Sequence, residues 1–168
     1  NNRKKMKIVS TNDKMAIWHG LHQYKSYHMS IFMNMLPRVI SYFNCKLVVR
    51  PHPSENHDVW KKWAAENNNI IIAHEGSANA WLMAADATIH NSCTTGIEGF
   101  LLGCPVIAYI PDPDSRYSKE ISNDVSFQVK NEEQLNCALE KAFSTGFLDD
   151  AQERKEKVKK LQYVIENV

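Results

Sequence analysis

Two short polar stretches carry the residue types that could hold and stabilise an anion. The first, Arg50-Pro51-His52-Pro53-Ser54-Glu55, sets a guanidinium, an imidazole and a hydroxyl around two prolines. Proline fixes φ, so a turn of this kind holds its donors in place before any ligand arrives. Arg50 offers a planar fork of N–H groups and His52 a ring nitrogen, a pair suited to a phosphate or to charge developing on a leaving group. The second, His90-Asn91-Ser92-Cys93-Thr94-Thr95-Gly96-Ile97-Glu98-Gly99, runs from a short apolar strand through small and hydroxyl residues into a helix. Backbone N–H groups at that helix start and the hydroxyls of Ser92, Thr94 and Thr95 converge on one spot. The helix dipole adds roughly 0.3–1 kcal/mol per charge for an anion there. Glu98, about one turn further on, could accept two hydrogen bonds from a ribose diol. Each stretch also has a plainer use: Asn91 or Ser92 as a helix cap with Glu98 as a solvated acid, and His52 and Arg50 as turn and strand-end residues.

Other polar residues are weaker candidates. Ser10, Thr11, Asn12 and Asp13 follow the first expected strand and suit a turn. Glu75-Gly76-Ser77 follows the third and is placed to offer backbone contacts to a base. His19, His22, His28, His57 and His74 lack ligand spacing such as H-E-x-x-H, so no metal is expected. Trp60, Trp63 and Trp81 are expected as core or interface aromatics. No G-x-G-x-x-G, G-x-x-x-x-G-K-S/T or G-x-S-x-G occurs, which argues against dinucleotide-dependent dehydrogenases, P-loop enzymes and α/β-hydrolases.

The elements that would position these loops alternate along the chain. Strands are expected at 6–11 (MKIVST), 46–50, 70–73, 87–90, 105–110 and 125–129. Helices are expected from about 22 to 43, to 67 behind Ser54 as N-cap, and at 79–85, 94–102, 131–144 and 150–168, with Gly103 stopping the fourth and a sharp loop at 111–114. Strands this short and apolar on both faces imply a mainly parallel sheet between helices, joined by right-handed crossovers. The expected class is α/β, a Rossmann-like, doubly wound domain. In such a sheet ligands bind outside the carboxyl ends of the strands, the edge that both polar loops share.

Composition bounds the rest. With 168 residues the chain supports one domain, and 43% apolar against 23% charged residues with six Gly and six Pro excludes disordered and collagen-like architectures. A formal charge of +1 provides no global field for a nucleic acid. No apolar run approaches the roughly 18–20 residues that span a bilayer. Residue 1 is Asn, which suggests a piece of a longer, two-domain protein. Cys45, Cys93, Cys104 and Cys137 are scattered without a C-x-x-C pair, as in a reduced cytoplasmic protein. Val158, Leu161, Ile165 and Val168 form one apolar seam on the charged last helix, expected to pack against this domain or another, with an oligomer or membrane-surface contact as the alternative.

The stretches RPHPSE (50–55) and NAWLMAADATIHNSCTTGIEGFLLGCPVIAY (79–109), with their spacing, resemble bacterial surface-carbohydrate biosynthesis proteins. More broadly they look like the C-terminal nucleotide-binding half of GT-B glycosyltransferases, over about residues 46–110. The resemblance implies a donor-binding domain that helps transfer sugar from a nucleotide-activated donor during surface polysaccharide synthesis. His52-Pro53 looks like the HP motif of bacterial sialyl- and Kdo-transferases, so His52 would reach the phosphate of a CMP-sugar and serve catalysis, with Arg50 beside it. Asn91, Ser92, Thr94 and Thr95 would bind the same phosphate, and Glu98 would hold the ribose. It further implies a glycan acceptor on a separate N-terminal domain, no cofactor beyond the nucleotide-sugar substrate, and a cytoplasmic place, with attachment to the inner membrane left open. The pattern is also similar to hydrolysing UDP-N-acetylglucosamine 2-epimerases, but Cys93-Thr94 stand where two glycines usually follow the serine. A non-catalytic partner module is the remaining alternative.

Overall fold

The computed structural model describes residues 11–112, 116–117, 120–146 and 151–166. The strand expected at 6–11 and Ser10 lie outside these, apart from Thr11, which opens a helix instead. That helix, α1 (Thr11–Phe43), is 33 residues long and begins well before the expected position near 22. Thr11, Asn12 and Asp13 therefore belong to its first turns and not to a turn between elements. The physical reason is that residues 14–36 contain no proline and a single glycine, so nothing stops the helix from extending back. The helix runs on through Pro37. Its buried stripe, His28, Met35, Leu36, Val39 and Ile40, follows the three-four spacing of a helix that packs along one face.

Five short strands follow, each preceded by a helix. β1 (Leu47–Val49) pairs in parallel with β2 (Ile70–Ile72), Leu47 opposite Ile70. β3 (Thr88–His90), β4 (Val106–Tyr109) and β5 (Phe127–Val129) pair in parallel in that order. Parallel pairing is as expected. The expected single sheet is instead two small ones, of two and three strands, among the described residues. They share a core: Leu47 and Ile89 pack with Ile107 and Val129 against Met35, Leu36 and Val39 of α1 and against Leu135, Ala138 and Leu139 of α6 (Glu132–Thr145).

Side-chain alternation along β4 sends its neighbours to opposite faces. Ile107 and Tyr109 join the α1/α6 core, while Val106 meets Phe100 of α4 (Thr95–Leu102), Val125, and Leu161 of α7 (Ala151–Glu166). Trp63 of α2 (His57–Ala64) lies on the α1 face and donates its ring N–H to the Met33 carbonyl at 3.0 Å. α3 (Ala78–Ala84) packs on α4 on the other side. Helices thus cover both faces, and the fold is α/β and Rossmann-like.

The ends of the elements follow local chemistry. Gly103 stops α4 in the left-handed region at φ 82°, as its place after the apolar run predicts. α2 is capped by Asn56, whose side chain accepts from the Asp58 N–H at 3.0 Å, and not by Ser54, which is engaged elsewhere. Leu161 and Val158 of the last helix pack on the domain, as the seam predicts; the seam's Ile165 and Val168 lie outside the described side chains. All four cysteines are free thiols. No helix among the described residues is long and apolar enough to cross a membrane.

Candidate functional site

Cys45, Asp86 and Pro105, which stand one or two residues before β1, β3 and β4, line one cavity together with Phe43 and Phe143. The amino ends of these strands therefore gather at one end of the domain. Because the strands run parallel, their carboxyl ends share the opposite edge, and both polar loops stand there.

In the first loop Pro51 is buried and His52 is exposed. The Ser54 backbone N–H donates to His52 Nδ1 at 3.1 Å, and the Ser54 hydroxyl lies 2.7 Å from the same nitrogen. Nδ1 is thus an acceptor, and in the neutral ring the proton sits on Nε2 as an outward donor. The Glu55 N–H closes the turn onto the His52 carbonyl at 2.8 Å, and His57 Nε2 lies 3.2 Å from the same oxygen. Pro53, also exposed, lies inside this closed turn. Glu55 itself accepts from the Trp60 ring N–H at 2.8 Å and so fastens the turn to α2.

Arg50 is used differently from the expected phosphate clamp. Its two terminal nitrogens donate to the carbonyls of Glu75 and Gly76 at 3.1 and 3.2 Å, tying the β1 loop to the β2 loop. The same Glu75 carbonyl accepts from Trp81. Backbone carbonyls at 75 and 76 are therefore spent inside the protein, and Ser77 caps α3. Backbone N–H bonds from Glu75 itself and from His74 hold the exposed Glu75 carboxyl below its ordinary range. The rings of His57 and His74 stack at 3.9 Å and join the two loops a second time. No group of three or more His, Cys, Asp or Glu placed to hold a metal ion occurs among the described residues.

In the second loop Asn91 donates to the Tyr109 carbonyl at 2.8 Å, which secures the loop to the end of β4. Ser92 has φ 49° and is only 7% exposed, so its hydroxyl is a buried group and not a surface ligand. It pairs with the Asn123 amide, accepting at 2.9 Å and donating at 3.3 Å. Thr94 stands at the N-cap of α4 without a capping bond from its side chain, and is exposed; Thr95 and Glu98 are half-buried. Neither Asn91 nor Ser92 caps the helix. Of the residues expected to meet an anion, His52, Thr94 and Thr95 keep accessible donors, while Arg50, Asn91 and Ser92 brace the loops.

His90 received no role from the sequence, yet it ends β3 with its ring against Gly96 at the start of α4. Its ring is 4% exposed, and burial pushes its pKa down to about 4. The Cys93 N–H points to Nδ1 at 3.4 Å, which leaves the proton on Nε2, 2.8 Å from the Ser126 hydroxyl. Ser126 in turn donates to the Ser122 carbonyl at 2.7 Å. A histidine ending an apolar strand was the available signal. Its hydroxyl partner Ser126, 36 residues away along the chain, had none.

A family model described as a protein of unknown function (DUF354) matches residues 4–167. The chain belongs to that family. No curated protein and no solved structure matches it.

Proposed function

We propose that this member of the DUF354 family is the donor-binding domain of a GT-B type glycosyltransferase that builds bacterial surface polysaccharide from a nucleotide-activated sugar, with a CMP-sugar favoured. One observation carries it: a fixed imidazole donor at His52 and the hydroxyl-lined start of α4 stand on the carboxyl edge of one parallel α/β domain. Breaking the bond between the anomeric carbon and the phosphate oxygen leaves negative charge on the phosphate. His52 Nε2–H, the Thr94 and Thr95 hydroxyls and the helix start would stabilise that charge without moving, which is how preorganised donors lower a barrier. Glu98 would receive the ribose. The acceptor is a glycan, and attachment of the protein at the inner membrane surface fits that substrate.

Titration calorimetry with CMP, CDP and UDP tests this. CMP should bind, and His52→Ala should weaken it by about 10- to 100-fold, the worth of a hydrogen bond to a charged group, while circular dichroism stays unchanged. An absence of binding by every nucleotide at millimolar concentration overturns the proposal. Conversion of UDP-N-acetylglucosamine without an acceptor would place the chain with the epimerases instead.

A further inference from the structure

We infer that the segment carrying α5 (Glu120–Asp124) and the start of β5 belongs to the donor site, with Asn123 and Ser126 as positioning residues for the loop at 91–95. The inference rests on the donor-binding function proposed above. Ser92 holds a left-handed backbone, φ 49°, that a residue with a β-carbon adopts only when its surroundings impose it. Asn123, 5% exposed, braces this residue: its amide both donates to and accepts from the Ser92 hydroxyl. A second tie runs in one direction: Cys93 N–H to His90 Nδ1, His90 Nε2–H to Ser126 Oγ, Ser126 O–H to the Ser122 carbonyl. The start of α4 lies directly on this chain, since a β-carbon on Gly96 would stand 2.5 Å from His90 Nε2. Buried hydrogen bonds of this kind make a structure unique and rigid more than they make it stable. What they make rigid here is the strand end, the loop and the first turn of α4.

The test compares CMP with cytidine, by direct and competition calorimetry, on the wild type, Asn123→Ala, Ser126→Ala and the near-isosteric Asn123→Asp. The phosphate meets the loop directly and the ribose meets only Glu98 beyond it, so CMP affinity should fall about 10- to 100-fold and cytidine affinity by a clearly smaller factor. Placed on a Ser92→Gly background, where the left-handed turn is free, Asn123→Ala should cost less than on the wild type. Equal losses for CMP and cytidine, or no loss of CMP affinity in folded variants, overturn the positioning role and leave the donor function standing. A wild type that binds no nucleotide overturns both.

Discussion

His52 becomes a directed donor through Ser54, and the two contacts involved can be separated. Ser54→Ala removes the hydroxyl but keeps the backbone N–H on Nδ1. It should lower CMP affinity by only about two- to fivefold, near the low end for one hydrogen bond, against the larger loss on His52→Ala; both are read by calorimetry. His52→Gln, which can offer an amide N–H from a similar reach, should lie between them. Arg50 shows how residue type and residue role part company. Its fork was legible as an anion binder, but two nearby carbonyls compete for the same N–H groups and hold them in the structure. Arg50→Lys should loosen the β1 and β2 loops, because a single ammonium lacks the planar fork that spans both carbonyls. The expected readout is faster amide exchange at 75–77 with little change in global stability.

Among the elements, α2 and α4 are the ones that deliver the loops. Asn56 fastens the start of α2, so Asn56→Ala should cost about 1 kcal/mol by urea denaturation, the usual worth of a lost cap. Ser54→Ala, by contrast, should cost little stability, since Ser54 caps nothing. α4 sits so close to β3 that Gly96 has the His90 ring where a β-carbon would be, 2.5 Å from Nε2. That ring is buried and held at both nitrogens, so it has no room to retreat. Gly96→Ala should therefore destabilise the domain by about 1–3 kcal/mol, the range for overpacking a core, and should disturb nucleotide binding with it.

For the whole molecule, His90 links the fold to pH. Its pKa is about 4 when folded against an ordinary 6.5, because burial disfavours the charged ring. Between those values the unfolded chain takes up a proton that the folded chain refuses. The contribution of neutral His90 is then full above about pH 6.5, declines as pH falls through the window and levels off below about 4, about 3 kcal/mol for this one group. Urea midpoints at pH 7 and 4.5 should show this decline, and His90→Gln should flatten it. The alternation of short apolar strands with helices, the stop at Gly103 and the parallel carboxyl edge were all legible in the chain, because proline, glycine and hydrophobic period act over a few residues. The two polar loops at that edge were legible for the same reason. What the residue order left open was which polar groups remain available. Arg50 is claimed by carbonyls 25 and 26 positions away, Ser92 by Asn123 and His90 by Ser126. Sequence by itself determined the parts and their edge; tertiary packing alone decided their division into donors and braces, since a hydrogen bond goes to whichever partner folding brings within about 3 Å.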